Sequence, residues 1–278
     1  MAKTEEKPKA LTGELLELRA AASFAAKDDS KPILQYLYVS EEGKGKSPKA
    51  TRRGEKRRNV LVAADGWGMY VTPTVLPTGY YSAPVVVSAA RGHVSYGPGY
   101  TVDAKTRQVT THGKSGLTFG PLQDVGTFPN FRNLIPDPKS LRYAEVGRLT
   151  LLALASAAIA WGKAEKEGVT FIRMVGDRKG LTLRHQPTGL EARVPGKRLD
   201  GRRVAVSADY LLRAAQAFDT ATVRVGLPES PSLALTFSVG EALVLQMPMT
   251  VQWPAVKVVE NDDGTVHAEE ARDERRAA

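Results

Sequence analysis

The chain has 278 residues and no cysteine, 42% of its residues are hydrophobic, and its net charge is +9. This length and apolar content are enough for two domains that each bury a core, and the absence of cysteine excludes disulfides and thiolate-bound zinc. The longest apolar run, residues 149–161, is shorter than the roughly 20 residues that a membrane-spanning helix needs. Residues 1–9 lack the pattern of a signal peptide, so we expect a soluble, cytoplasmic protein.

The basic and acidic charges are concentrated in separate segments. Residues 44–58 contain eight lysines and arginines and one acid, Glu55, whereas residues 258–278 contain seven acids and three arginines. A local excess of positive charge favours a polyanionic partner. The sequence leaves open whether this basic insertion, residues 44–58, is a solvated loop or contacts phosphates. We expect residues 258–278 to form a disordered tail.

The first half of the chain predicts one helix followed by a series of strands. Thr12 is a candidate N-cap for a helix that runs to about Lys27. The second helix of this half is predicted to be only a few residues long, near 89–93. The predicted strands lie at residues 33–39, 59–65, 68–73, 81–89, 100–105, 107–112 and 116–122.

The second half repeats one order of elements. It begins after a proline-containing linker at residues 126–140. The pattern then predicts a strand at 141–146, a helix at 147–162 and strands at 169–175, 180–185 and 190–195.

The same order then recurs. A strand at 202–206 leads to a helix at 208–218, which Ser207 caps and which leaves Arg213 toward solvent. Strands follow at 222–227, 233–239 and 241–249. Each strand-helix-three-strand unit supplies one helix to cover one four-stranded sheet. We therefore predict an α+β fold of two domains, residues 1–125 and 141–257, in which helices cover one face of antiparallel sheets.

Three segments of this duplicated frame resemble the bacterial DNA polymerase III beta subunit, the DNA sliding clamp. The sequence FPNFRNLIP at 128–136 resembles the linker that enters the last clamp domain. LVLQMPM at 243–249 resembles the closing strand of that domain, and AADGWGMYV at 63–71 resembles a turn of the middle domain. Their order and their positions in the duplicated topology carry the resemblance, which implies two DNA-clamp domains corresponding to the middle and last domains, without the first.

The resemblance implies a hydrophobic pocket between the two domains for short peptide motifs of DNA polymerase and clamp loader. Methionine and tryptophan suit such a groove because they pack against varied apolar side chains. Three departures from the family pattern bear on peptide preference: Trp67 replaces a histidine, Asn133 an arginine and Thr250 an arginine. For Leu34 and Leu245, a role in the core is an equal alternative. The implied pocket residues are Leu34, Ala64, Gly66, Trp67, Met69, Pro129, Leu134, Leu245, Met247, Pro248 and Met249.

The resemblance also implies a ring that encircles double-stranded DNA and contacts phosphates without reading bases. Six similar domains complete such a ring, so a two-domain chain predicts a homotrimer. The alternative is a regulator or decoy that binds clamp-interacting peptides without encircling DNA. Candidate DNA-binding residues on the inner face of the ring are Arg19, Lys27, Lys31, Arg148, Lys163 and Arg213, and those in the basic insertion are Arg52, Arg53, Lys56, Arg57 and Arg58.

The sequence lacks the motifs of the common catalytic sites. Its four histidines, His93, His112, His185 and His267, are not spaced as metal ligands. It has no glycine-rich phosphate loop, no GxSxG motif and no paired carboxylates at a spacing that suggests acid-base chemistry. We therefore expect no metal, no cofactor and no enzymatic activity.

Overall fold

The computed structural model describes residues 11–41, 59–90, 99–103, 105–112, 117–122, 125–253, 256–260 and 266–270. The basic insertion, with its five predicted DNA-binding residues Arg52, Arg53, Lys56, Arg57 and Arg58, lies outside these ranges. In the described part of the chain, no helix is long and apolar enough to cross a membrane.

The first half contains two strand-helix-three-strand units. The first unit consists of β1 (Leu11–Gly13), α1 (Leu15–Phe24), β2 (Tyr36–Glu41), β3 (Asn59–Ala64) and β4 (Gly68–Thr74). The second consists of β5 (Gly79–Ser82), α2 (Ala83–Ala90), β6 (Tyr100–Val102), β7 (Val109–Thr111) and β8 (Thr118–Phe119).

The second half has the same order of elements, so the duplicated unit predicted from the sequence is confirmed. Its first unit consists of β9 (Arg142–Gly147), α3 (Arg148–Ala164), β10 (Phe171–Gly176), β11 (Gly180–His185) and β12 (Leu190–Pro195). Its second unit consists of β13 (Arg203–Ser207), α4 (Ala208–Gln216), β14 (Thr222–Leu227), β15 (Leu235–Val239) and β16 (Ala242–Gln246).

An antiparallel sheet of eight strands joins the two halves, in the order β5-β2-β3-β4-β16-β15-β14-β9. Each half also has a four-stranded sheet of its own, β1-β6-β7-β8 in the first and β12-β11-β10-β13 in the second. All four helices contribute to one face, because a single hydrophobic core contains residues of α1, α2, α3 and α4 together with alternate residues of the strands. The predicted α+β class, with helices on one face of antiparallel sheets, is confirmed.

A second, smaller hydrophobic cluster lies on the other face of the eight-stranded sheet. In β3, Leu61 and Ala63 belong to the main core, whereas Val62, between them, belongs to this outer cluster. Successive side chains of a strand point to opposite faces of the sheet, so β3 buries apolar side chains on both faces. The linker supplies part of the outer cover, because Phe128 and Phe131 are buried in the outer cluster.

Two predictions for the first half are wrong. Thr12 does not cap a helix, because it lies in β1, which pairs with β6 far along the chain, and α1 begins at Leu15 and ends at Phe24. Residues 83–90 are helical rather than extended. The three valines at 85–87 favour a strand locally. The tertiary structure overrides that preference, because α2 packs against α1 and buries Val86.

The segment expected to be a disordered tail contains two strands. β17 (Val256–Glu260) pairs antiparallel with β18 (Val266–Glu270). Both segments contain valine, and β17 has three, a composition that favours strands despite the acidic charge around it.

Candidate partner-peptide groove

The implied pocket lies where the two halves meet, at the pairing of β4 with β16. Leu245 pairs with Met69, and Gln246 pairs with Gly68. Met69 and Leu245 are both buried in the outer cluster, against which Leu34 and Ala64 also pack. These four predicted pocket residues therefore form an apolar patch that both halves share. We call this patch the floor, and the chain segments around it the rims, of the candidate groove.

A tight turn between β3 and β4 forms one rim of this groove. The Asp65 carboxylate accepts hydrogen bonds from the backbone N–H groups of Trp67, at 2.9 Å, and Gly68, at 2.8 Å. Gly66 has a φ of +92°, a conformation that favours glycine, and a Cβ there would lie 2.3 Å from Lys31 Nζ. The turn thereby leaves the Trp67 side chain 58% exposed beside the apolar floor.

An ion pair across the two halves fixes this turn. Arg213 of α4 lies 2.7 Å from the second carboxylate oxygen of Asp65, and it also donates to the carbonyl oxygen of Ser23, at 3.1 Å. The guanidinium group stacks on the rings of Phe24 and Tyr210, at 4.4 and 4.5 Å from their centroids. Arg213 therefore connects α4 of the second half to α1 and the β3–β4 turn of the first.

The surroundings of this ion pair are tightly packed. Burial, and next the negative charge of Asp65, raise the pKa of Tyr210. A Cβ at position 68 would lie 2.9 Å from Gln246 Oε1 and 3.0 Å from the Nη2 atom of Arg213. Only glycine therefore fits at position 68 without displacing one of the side chains at the joint.

The end of β16 forms a second rim next to the β3–β4 turn. Gln246 is buried, and its side-chain amide donates to the carbonyl oxygen of Trp67 at 2.8 Å, as does the backbone N–H of Met247. Met247 is 43% exposed, and Pro248 and Met249 are half-buried. The Trp67 carbonyl oxygen therefore holds the end of β16 beside the β3–β4 turn. The exposed side chains of Trp67 and Met247 lie on these two neighbouring segments.

The linker forms the third side. Phe128 stacks on Tyr38 with a centroid distance of 5.1 Å, and its backbone N–H donates to the hydroxyl group of Tyr80. Ile135 packs on the outer cluster, which leaves the preceding residue, Leu134, 59% exposed. Pro129 is also exposed, next to the buried Phe128.

The structure thus divides the predicted pocket residues into two groups. The floor residues Leu34, Ala64, Met69 and Leu245 are packed, which is the core role considered for two of them. The accessible apolar side chains are those on the three rims: Trp67, Pro129, Leu134 and Met247, with Pro248 and Met249 partly accessible.

The DNA-binding residues predicted for the inner face differ in accessibility, and Lys27 and Lys31 lie after the end of α1. Arg19, Lys27 and Lys163 are exposed. Arg148 is half-buried and donates to the Ala215 carbonyl oxygen, and Lys31 lies over the ring of Trp67 with its Nζ atom 6.0 Å from the centroid.

The prediction that Arg213 faces solvent is wrong, and its role as a DNA contact stays a prediction. Its side chain is 17% exposed and is paired with Asp65. Sequence spacing on α4 placed Arg213 on the polar side of the helix, but the first half of the chain covers that side.

Two groups that hold the segments around the groove were missed from the sequence: the Asp65 carboxylate and the Gln246 amide. An Asp-Gly turn indicated Asp65 as a turn residue but not as an ion-pair partner. The described residues contain no group of three or more histidine, aspartate or glutamate side chains that could hold a metal ion.

Two halves built from the same duplicated unit, joined by a continuous antiparallel sheet and carrying their helices on one face, define a DNA-clamp fold. No family model matches the sequence, and no curated protein matches it.

Solved structures of bacterial DNA polymerase III beta sliding clamps have the same fold, which confirms the resemblance inferred from the sequence. The Bacillus subtilis clamp has a TM-score of 0.62 and 15% identity, over 91% of this chain and 67% of that one. The Bartonella birtlesii clamp bound to griselimycin gives 0.63 and 13%, and the Helicobacter pylori clamp bound to a DNA ligase peptide gives 0.62 and 12%. Each of these two comparisons covers 90% of this chain and 68% of the clamp.

Proposed function

We propose that this protein is a DNA sliding clamp, a processivity factor without enzymatic activity that encircles duplex DNA in the cytoplasm and tethers partner proteins. The observation that carries the proposal is the eight-stranded sheet that runs unbroken from one half of the chain into the other. Such a joint pairs different edges of two similar domains, which is a heterologous, head-to-tail contact. If the same contact recurs between copies of the chain and the rotation per copy divides a full turn, the copies close into a ring.

The repeat itself suggests which edges would meet between copies. Within the chain, the last strand of the first unit of the first half, β4, pairs with the last strand of the second unit of the second half, β16. The related strands in the other two units are β8 and β12, and each lies at the edge of its described sheet. Pairing of β8 in one copy with β12 in the next would repeat the internal joint, and three copies would supply six clamp domains.

The DNA contact of this clamp would depend on more than its helices. Arg19 and Lys163 are exposed on α1 and α3, but the exposed face of α3 also carries Leu149 and Ala153. Phosphate contacts require positive charge, and the largest local excess is in the basic insertion. We therefore assign the insertion an auxiliary role in holding DNA, together with topological enclosure by the ring.

The groove at the joint would bind short peptide motifs of DNA polymerase and clamp loader. Its packed apolar floor and partly exposed methionine and tryptophan rims suit a peptide with apolar anchors. The Helicobacter pylori clamp, which has the same fold, binds a DNA ligase peptide.

Encirclement is tested by threading the protein onto duplex DNA that is tethered to a bead at one end. After the free end has been blocked with streptavidin, a ring should survive a high-salt wash, because escape requires a DNA end. Cutting the DNA beside the block should release it. Loss of the protein in the wash, with the end still blocked, would contradict encirclement and favour the decoy that only captures peptides.

The groove is tested with a fluorescein-labelled copy of the DNA ligase peptide that the Helicobacter pylori clamp binds. We expect micromolar affinity, which corresponds to about −8 kcal/mol. Met247→Ala should weaken binding by about 1 to 2 kcal/mol if that side chain is an anchor. Leu149→Ala, at an exposed leucine of α3, is the matched control. Equal affinity of folded Met247→Ala and wild-type protein would move the peptide site elsewhere.

A further inference from the structure

The chain beyond β16 is held at points that belong to different parts of the fold. We call residues 247–253 the closing segment. At its start, the backbone N–H of Met247 donates to the Trp67 carbonyl oxygen of the first half, at 2.8 Å. Two residues later, the N–H of Met249 donates to the Ala205 carbonyl oxygen on β13, also at 2.8 Å. The closing segment therefore leaves the joint between the halves and crosses to the four-stranded sheet of the second half.

The far end of the closing segment is anchored by an aromatic ring between two arginines. The ring centroid of Trp253 lies 5.6 Å from the guanidinium carbon of Arg173 and 5.4 Å from that of Arg203. Arg173 also donates to the Gln252 carbonyl oxygen at 2.8 Å. An aromatic face attracts a cation, and here one ring contacts two of them.

The two arginines are suitably placed because β10 and β13 are neighbours. Arg173 pairs with Ala205, and Val175 pairs with Arg203, so the arginines are two positions apart along the ladder and share one face of the sheet. This face is opposite to the one that packs against α3 and α4, since Ile172 and Met174 of β10 belong to the main core. Trp253 thus connects the closing segment to a rigid sheet.

Met247 and Met249, which form the methionine wall of the groove, lie between the hydrogen bond to Trp67 and the anchor at Trp253. Residues 247–250 have no regular secondary structure, and Pro248 has no backbone N–H to donate. The position of Met247 and Met249 is therefore set by the bonds at Trp67 and Ala205 and by the anchor at Trp253. Without the anchor, the end of the closing segment would be free to leave the sheet, and the Met249 bond to Ala205 would be the next to open.

We propose that Trp253 is a positioning residue for the partner-peptide groove: its docking between Arg173 and Arg203 holds the closing segment so that Met247 and Met249 form the groove wall. This inference rests on the proposed peptide-binding function. Trp253 acts through the closing segment and not through contact with the peptide.

The test compares Trp253→Ala, Trp253→Leu and Trp253→Phe in the full-length protein, with the labelled DNA ligase peptide as the probe. Trp253→Ala and Trp253→Leu should bind the peptide about fivefold more weakly, a loss equal to roughly 1 kcal/mol, because both lack an aromatic face. Trp253→Phe keeps that face and should stay within about twofold of the wild-type affinity. Trp161→Leu, at the half-buried tryptophan on α3 that packs against His185, is the matched control and should leave the affinity unchanged.

A second measurement follows the closing segment itself. Amide hydrogen exchange at Met249 should accelerate in Trp253→Ala and Trp253→Leu but not in Trp253→Phe, with the thermal midpoint unchanged in all three. Arg203→Gln removes one of the two cations and leaves the sequence of the closing segment unchanged. It should therefore accelerate the exchange at Met249 even if Trp253→Ala folds poorly.

The outcomes separate the two proposals. If Met247→Ala weakens binding while Trp253→Ala and Trp253→Leu do not, the positioning role is wrong and the groove stands. If Leu rescues as well as Phe, apolar volume and not the aromatic face is what matters, and the role assigned to the arginines is wrong. If the wild-type protein does not bind the peptide, or Met247→Ala binds equally well, the groove itself is contradicted.

Discussion

At the scale of single residues, the Asp65–Arg213 ion pair links the two halves and fixes the groove turn. The two side chains are 14% and 17% exposed, so removing one leaves the other charge poorly solvated. We expect Arg213→Ala to lower the free energy of unfolding by about 2 to 3 kcal/mol in urea titrations and to weaken peptide binding.

Arg193 and Asp177 provide a matched control for this prediction. They form another arginine–aspartate pair, but their side chains are 50% and 47% exposed. Exposed pairs contribute roughly 0 to 1 kcal/mol, so Arg193→Ala should have a small effect on stability and none on peptide affinity. Equal effects of Arg193→Ala and Arg213→Ala would contradict the special role of the joint.

Glu17 gives the first half a pH-dependent stability. Its carboxyl group lies among α1, β4 and β6, where Thr74 Oγ1 is 3.2 Å away and the Tyr100 hydroxyl also donates to it. Burial raises its pKa to about 7, and the nearby Glu14 contributes in the same direction. Because the unfolded value is near 4.3, the folded state binds the proton more tightly, so we expect the contribution of Glu17 to stability to be largest at acidic pH and to be lost as pH rises through about 7.

Glu17→Gln should remove this dependence, since the amide stays neutral. In urea titrations at pH 5 and pH 8, the wild-type protein should lose on the order of 2 kcal/mol between the two values, and the variant should lose much less. Glu145→Gln, at an exposed glutamate on β9, is the control and should behave as the wild type. The same change between pH 5 and pH 8 in Glu17→Gln as in the wild type would contradict a raised pKa of Glu17.

At the scale of elements, the edge strand β12 is the one that the proposed ring would pair between copies. Leu190, at its start, is 42% exposed, and an unpaired strand edge with apolar side chains is a template for pairing with another chain. Leu190→Glu should therefore weaken association and shift the mass in light scattering toward that of a single chain. Leu233→Glu, at a leucine 53% exposed outside the strands, is the control and should leave the mass unchanged.

At the scale of the whole molecule, the proposed ring predicts a defined mass. Three chains of 30.0 kDa give roughly 90 kDa by light scattering. A species of 30.0 kDa that persists at every concentration would exclude the ring and favour the monomeric decoy.

Neutralising Arg52, Arg53, Lys56, Arg57 and Arg58 tests the contribution of the basic insertion to DNA association. Each phosphate contact that is lost should lower the slope of log affinity against log salt by about 0.9, without changing sequence preference. An unchanged slope would identify the insertion as a solvated loop or a protein-binding element.

The sequence by itself determined the order of the elements in the second half and the class of the fold. The alternation of apolar and polar residues in strands such as β11 and β12, and the apolar stripe of α4, are local patterns. Because the same order of elements occurs twice, the assignment of one unit supports the assignment of the other. The three segments that surround the groove were identified by their resemblance to the clamp family, and these local patterns alone did not reveal a pocket.

Only the tertiary structure decided how those segments work together. Asp65 and Arg213 are 148 positions apart, so their pairing, and the burial of Arg213 that it entails, depended on how the halves join. The valines of α2 favour a strand locally, but they lie in a helix because α2 packs on α1. Thr12 lies in a strand because β1 pairs with β6. Long-range pairing supplies free energy that no local pattern contains, which is why the joint, its ion pair and the Trp253 anchor appear only in the folded chain.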